Sequence, residues 1–189
     1  MIQESIEYIK SKLEQLNLFE KVYSQVEIVT DADGKSFPAV YSSNGKYEII
    51  KYSLNNGTAY IRKDGNIVIT ESTEETYVGC KTYHVMVIPI LIFAFKRKDK
   101  LPIDCSYSED LLAETIYAQL TNETSDYHQS INAKKLKVLI QNINTNSSDV
   151  WKNETEKIEQ IDVNYDIACI SLTGEIQITM DSKCLTKIC

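Results

Sequence analysis

The thiol and imidazole side chains of this sequence are few and widely spaced. The cysteines are Cys80, Cys105, Cys169, Cys184 and Cys189, and the histidines are His84 and His128. Zinc sites usually draw their ligands from close pairs such as C-x-x-C, and no such pair occurs. Cys80 and His84 are near each other in sequence, but four residues of a strand span about 13 Å, too far for a nucleophile to bond to its base. The spacing therefore predicts neither a metal site nor a cysteine nucleophile.

The carboxylates show no pairing typical of general acid–base catalysis. Glu4 and Glu7 occupy polar positions of a predicted helix, and Glu109 and Asp110 begin another, where negative charge favours the helix dipole. The motifs G-x-S-x-G, G-x-G-x-x-G, H-E-x-x-H and the P-loop are absent. We therefore predict a protein that is not an enzyme, with no catalytic residue and no cofactor.

Two amphipathic helices and a series of strands must position whatever surface the protein uses. Apolar residues recur every three or four positions over 2–16, and again over 109–120 behind a candidate N-cap, Ser108. The segment 21–30 reads as one strand. Helices set apart from runs of strands predict an α+β fold with a largely antiparallel sheet, on which the N-terminal and central helices pack.

Short strands with tight turns between residues 37 and 70 predict a projecting β-arm. Asn44-Gly45 is a hairpin signal, and Asn56-Gly57 makes another turn. The region is rich in tyrosine, a residue enriched at protein interfaces. The predicted subunit-interface residues are therefore Tyr41, Tyr47, Tyr52 and Tyr60.

Two long strands are expected to form the centre of the sheet. The segment 82–95 is almost continuously apolar, which predicts burial on both faces, the second under another subunit. Pro89 inside it marks a bulge or a sheet edge, because proline donates no ladder hydrogen bond. A shorter strand is predicted at 136–143, a polar insertion at 144–160, a last long strand at 165–180 and a C-terminal tail at 181–189. The whole chain, 1–189, is predicted to be one domain.

Composition and charge narrow the classes of partner. Lys and Arg total 20 against 27 Asp and Glu, a net charge of -7, and Arg62 and Arg97 are the only arginines. Sequence-specific DNA binding is therefore not expected. The apolar run 86–95 is too short to span a membrane, and residues 1–16 lack the pattern of a signal peptide, so we expect a cytosolic product with no membrane partner.

The order of these pieces resembles bacteriophage tail terminators and the related tail-completion, neck and head–tail joining proteins. The stretches that carry the resemblance are IQESIEYIKSKLEQL, FEKVYSQVEIV, FPAVY, the β-arm, YHVMVIPILIFAFKRKD, SEDLLAETIYAQL and VNYDIACISLTGEIQITM. The resemblance covers most of the chain and is a pattern of elements, with no signature motif. The insertion at 144–160 and the tail at 181–189 depart from it.

The resemblance implies a structural virion protein, made in the host cytoplasm, that forms a homo-oligomeric ring in the tail or neck. Such a ring, of six or twelve copies, caps or joins the tail tube, contacts other tail, neck or portal-side proteins and lets DNA pass. The negative charge would make the channel repel DNA, or would simply keep the free protein soluble. The candidates for acidic side chains facing the channel are Asp31, Asp33, Glu154, Glu156 and Glu159. A monomeric binding or adaptor module is the alternative, and a small enzyme with an unrecognised site is the third reading.

Overall fold

The fold of the described chain consists of two sheets and three α-helices. The structure is a computed structural model that describes residues 1–30, 32–41, 45–50, 56–76, 79–101, 108–121, 135–155 and 167–181. The helices are Ile2–Gln15 (α1), Ser108–Thr121 (α2) and Ser147–Thr155 (α3). The strands are Lys21–Tyr23 (β1), Glu27–Thr30 (β2), Ser36–Tyr41 (β3), Tyr47–Ile49 (β4), Gly57–Lys63 (β5), Val68–Thr76 (β6), Gly79–Arg97 (β7), Lys135–Asn144 (β8) and Ile167–Asp181 (β9).

The main sheet confirms the predicted α+β class. Its strand order is β1-β5-β7-β9-β8, and β6 also pairs with β7. Every pair is antiparallel except β1 with β5, which run parallel. Helices α1 and α2, the predicted N-terminal and central helices, pack on one face of this sheet through residues such as Ile9, Leu13 and Ile116, which are fully buried.

Helix α1 ends just before Asn17. Asn17 adopts a left-handed conformation (φ 54°), and its backbone N–H donates to the carbonyl of Glu14 at 3.1 Å. Asparagine tolerates this conformation better than most side chains do, and it commonly ends helices in this way. The polypeptide then turns back toward the main sheet.

The predicted single strand at 21–30 is wrong, because the chain divides it between two sheets. Gln25 has a positive φ of 54° and separates β1 from β2. Val22, in β1, is buried in the core beneath the helices, whereas Val26 is buried in a second core on the other side of the main sheet. Residues four apart in one continuous strand face the same side of a sheet, so the burial of Val22 and Val26 on opposite sides requires a break between them.

Pro89 lies where the partner of β7 changes from β5 to β6, while the pairing of β7 with β9 continues through it without a register shift. Strands β5 and β6 lie end to end along one edge of β7: Lys63 pairs with Ile90, and Val68 pairs with Val87. Residues 64–67 therefore stand opposite only two residues of β7. The carbonyl of Pro89 accepts a hydrogen bond from the N–H of Asp64 at 2.9 Å, but proline has no N–H to return. The ladder is interrupted where its donor is missing.

Strand β7 is buried on both faces, but this chain supplies both covers. Ile88, Ile90 and Ile92 lie beneath the helices, as part of the first core. On the opposite face, Phe93 and Phe95 are buried in a second core. Its further buried members come from the residues next to β2 and β4 and from β5, α3 and β9: Val26, Ile50, Tyr60, Val150 and Cys169. The expected cover from another subunit is therefore wrong for this half of the strand.

The predicted β-arm is wrong in its composition. Strands β2, β3 and β4 form a separate antiparallel sheet, here called the small sheet, whose inner residues join the second core. Strand β5 belongs to the main sheet. Strand β6 continues to pair with residues 79–82 of β7 beyond Tyr83, which pairs with Asp181, the last described residue of β9. We call the hairpin of β6 and residues 79–87 the arm.

The predicted polar insertion at 144–160 contains a helix. Within it, α3 spans Ser147–Thr155, and Val150 is 3% exposed in the second core. The side chain of Asn146 accepts a hydrogen bond from the N–H of Asp149 at 3.4 Å, as a residue before a helix often does. Residues 156–160 of the insertion and 182–189 of the tail lie outside the described residues.

Candidate assembly surface

Two of the predicted interface tyrosines lie together on the outer part of the small sheet. Tyr41 in β3 and Tyr47 in β4 are direct cross-strand partners, with ring centroids 5.2 Å apart and an interplanar angle of 72°. They are 66% and 46% exposed. Ile49, two residues along β4 and therefore on the same face as Tyr47, is 47% exposed. We call these three residues the aromatic patch.

A hydrogen bond across the small sheet holds the aromatic patch in position. The phenol of Tyr47 donates to Oε2 of Glu27 in β2 at 2.7 Å. This hydrogen bond is the main cause that raises the pKa of Tyr47, and burial and the charge of Glu27 act in the same direction. Ionisation of the phenol would lose the bond and place two negative charges together. The ring therefore stays neutral and oriented, and less conformational entropy is lost when a partner binds it.

The other two predicted interface tyrosines do not join the patch. Tyr60 in β5 is fully buried in the second core and stacks on Phe93, with centroids 4.9 Å apart and an interplanar angle of 24°. The prediction for Tyr60 is therefore wrong, because its side chain offers no surface to another subunit. Tyr52 lies outside the described residues.

The predicted channel residues are placed only in part. Asp33 is exposed in the turn between β2 and β3. Glu154 belongs to the last turn of α3, with its side chain outside the described part of the structure, and Asp31, Glu156 and Glu159 also lie outside the described residues. Of these five carboxylates, Asp33 alone has a side chain within the described part of the structure.

The arm carries a second group of exposed apolar side chains. Val68 and Ile69 in β6 are 51% and 50% exposed. Because successive residues of a strand point to opposite faces, β6 exposes one apolar side chain on each face at this position. The described residues include no strand that pairs with the outer edge of β6. The arm is therefore a second surface available for contact with another chain.

A polar cluster beside α2 has a structural role that the sequence pattern did not reveal. Glu109 is 20% exposed, and its Oε1 lies 3.0 Å from Nζ of Lys98. The hydroxyl of Ser108 donates to its Oε2 at 2.6 Å, and that of Ser147 donates to Oε1 at 2.8 Å. Ser147 in turn accepts a hydrogen bond from the N–H of Cys169 at 2.9 Å. The cluster joins α2, α3, β9 and the short 3-10 turn at Lys98–Lys100.

The pKa of Glu109 reflects that cluster. Partial burial acts to raise the pKa of this carboxyl, but the hydrogen bonds from the two hydroxyls and the ammonium together outweigh it. The result is a pKa lowered from 4.5 to about 2. Glu109 is thus an ionised, partly buried acceptor that joins neighbouring elements, in addition to beginning α2 as predicted.

Neither a scan against protein-family models nor a search of curated proteins finds a match to this chain. Within the ranges that the structure describes, no group of three or more His, Cys, Asp or Glu is arranged to hold a metal ion. In the same ranges, no helix has the length and apolar character needed to cross a membrane. Cys169 is fully buried in the second core.

Proposed function

We propose that this protein is a structural subunit of a bacteriophage tail or neck, where it forms a homo-oligomeric ring of the tail-terminator type. The ring caps or connects the tail tube at the head–tail junction and lets DNA pass without sequence-specific contacts. It contains six or twelve copies, contacts other tail, neck or portal-side proteins, and performs no catalysis. The observation that carries the proposal is the aromatic patch, a preoriented and exposed set of side chains on β3 and β4 of the small sheet.

The arm supplies the second surface that a ring requires. In a cyclic ring of more than two copies, each subunit uses two different surfaces, one toward each neighbour. The aromatic patch and the arm are separate and both expose apolar side chains, so one can meet the other on the next copy. The sequence resemblance gives further support, since the helix, the long strand, the second helix and the final strand follow in the expected order.

Native mass measurement and negative-stain imaging of the purified chain test the ring. We expect a species with six or twelve times the 21.6 kDa mass of one chain, and annular particles. Tyr41→Ser combined with Tyr47→Ser should prevent ring formation. Tyr117→Ser is the matched control, because that tyrosine on α2 is similarly exposed, at 44%, and lies outside both surfaces. A single-chain mass for the wild type would refute the ring and favour the adaptor alternative.

A mixing experiment tests whether the patch meets the arm. The patch double variant and Val68→Ser with Ile69→Ser should each remain a single chain. Mixed in equal amounts, they should form a species of two chains, because each retains the surface that the other has lost. Two variants that remain separate after mixing would contradict the patch-to-arm contact while leaving the wild-type ring mass as independent support for the ring.

A further inference from the structure

A groove lies between α2 and the end of β8, on the helix-covered face of the main sheet. Its volume is about 330 Å³, and it is lined by Asp110, Ala113, Glu114, Tyr117, Ile143 and Thr145. Tyr117 and Ile143 are 44% and 38% exposed, so apolar surface on both walls remains open to solvent. The volume is at the low end of the roughly 300–1,000 Å³ typical of ligand pockets, enough for a few side chains of a partner.

A β-bulge turns Ile143 toward this groove. Before the bulge, Leu136, Val138 and Ile140 lie on the helix-covered face, at even positions. The register then shifts between Ile140 and Asn142, so that Ile143, at an odd position, pairs with the core residue Leu172 and lies on that face. Bulges commonly redirect a side chain in this way beside functional sites.

The bulge depends on a close backbone approach. Gly174 pairs with Ile140, and a Cβ at position 174 would collide with the carbonyl oxygen of Leu139 and lie 3.0 Å from Cα of Ile140. Only glycine fits between the strands here. The exposed wall of the groove is therefore formed by a specific local geometry, and Ile143 is not simply the last apolar residue of a fraying strand.

The groove has an acidic rim on one side. Asp110 and Glu114 lie one helical turn apart on α2, and both are exposed. Tyr117 continues the same side of the helix. The combination is an apolar slot with two carboxylates above it, and its charge complements a lysine or arginine placed beside an apolar side chain.

We propose that this groove binds a short basic segment of a different protein, which inserts an apolar side chain between Tyr117 and Ile143 and places a cation between Asp110 and Glu114. The mass measurement below distinguishes this partner from a second copy of the chain. The inference stands independently of the ring, since the groove lies outside both the aromatic patch and the arm.

Selection from a random library of twelve-residue peptides displayed on their messenger RNA tests the groove with the full chain as bait. We expect enriched peptides to carry lysine or arginine next to a large apolar residue. The affinity of a selected peptide, measured by fluorescence anisotropy, should fall about five- to tenfold for Asp110→Asn with Glu114→Gln, and comparably for Ile143→Ser. The matched control is Glu4→Gln with Glu14→Gln, which removes two carboxylates of α1, each 52% exposed.

Three results would overturn the proposal. Enriched peptides without a common cation contradict the charge argument. A selected basic peptide that binds the control and the Asp110→Asn, Glu114→Gln variant equally shows general attraction to an acidic protein. A native mass for Ile143→Ser that differs from the native mass of the wild type shows that a second copy occupies the groove.

Discussion

Replacement of Glu109 by glutamine tests whether one partly buried carboxylate joins four elements of the fold. The amide has nearly the same size, but one of its two ends donates hydrogen bonds instead of accepting them. The hydroxyls of Ser108 and Ser147 both donate to the carboxylate, and the ammonium of Lys98 lies 3.0 Å from it. The amide cannot satisfy all three donors, so at least one loses its partner in a site that is only 20% exposed.

The expected size of the effect follows from the lowered pKa. A fall from 4.5 to about 2 corresponds to about 3 kcal/mol at ~1.4 kcal/mol for each pH unit. Solvent still reaches part of the carboxyl and screens its interactions, so we expect about 1–2 kcal/mol. Because the folded-state pKa is depressed, this stabilisation is fully present above pH 4.5 and is lost as the pH falls toward 2.

Urea denaturation of the wild type and of Glu109→Gln across this pH range measures the effect. The difference between their free energies of unfolding should be about 1–2 kcal/mol at pH 6 and should shrink steadily below pH 4.5, while other carboxyls affect both proteins equally. Asp110→Asn, next in the chain and exposed, is the control and should show little difference at any pH. A Glu109→Gln difference that does not change between pH 6 and pH 3 would refute the argument from charge.

Three further substitutions test the fold. Gly174→Ala should cost about 1–3 kcal/mol, because its Cβ would meet the backbone of β8 at Leu139; an unchanged urea midpoint would count against the close approach. Tyr60→Ala should cost about 3–5 kcal/mol and Tyr41→Ala less than about 0.5 kcal/mol, since one is buried and the other 66% exposed; equal losses of melting temperature would contradict these positions. Ile88→Asp buries a charge at a fully enclosed site and should cost at least about 4 kcal/mol, so a variant that melts normally would remove Ile88 from the core.

Local sequence patterns predicted the elements whose buried residues form one regular pattern, either a helical stripe or an unbroken run. The spacing of Ile6, Ile9 and Leu13 identified α1, because its buried face is a single stripe. The apolar continuity of 82–95 identified β7, and both faces of its second half, 90–95, are covered. In each case a local sequence pattern and the tertiary environment agree, which is the condition under which periodicity alone is sufficient.

Elements whose boundaries depend on distant contacts were missed. Nothing local distinguishes Gln25 from its neighbours, and the positive φ there follows from the burial of Val22 and Val26 in separate cores. The abundance of tyrosine at interfaces predicts an interface role for Tyr60. The unbroken apolar run Ala59-Tyr60-Ile61, however, is equally typical of a strand buried on both faces, which is what the structure shows.

Two features did leave signals in the sequence. Asn146 followed by Ser-Ser-Asp is a helix start, and a cap search would have found α3. The apolar positions of β8 change from even, ending at Ile140, to odd at Ile143, which is the pattern that a bulge produces. The sequence therefore predicts the wall of the groove formed by Ile143. It does not predict that Tyr117 faces Ile143, because that depends on how α2 packs on the sheet.

The distribution of uncovered apolar side chains decides which surfaces remain for partners. Because both faces of β7 are covered over 90–95 by this chain, the centre of the sheet offers no interface. The exposed large apolar residues of the described chain instead form three separate groups: Tyr41, Tyr47 and Ile49 on the small sheet, Val68 and Ile69 on the arm, and Tyr117 and Ile143 at the groove. A cyclic assembly uses two surfaces of each copy, so the ring proposed above would occupy the first two groups. The third would stay accessible on every copy, and its acidic rim favours a partner whose charge is opposite to that of the ring itself.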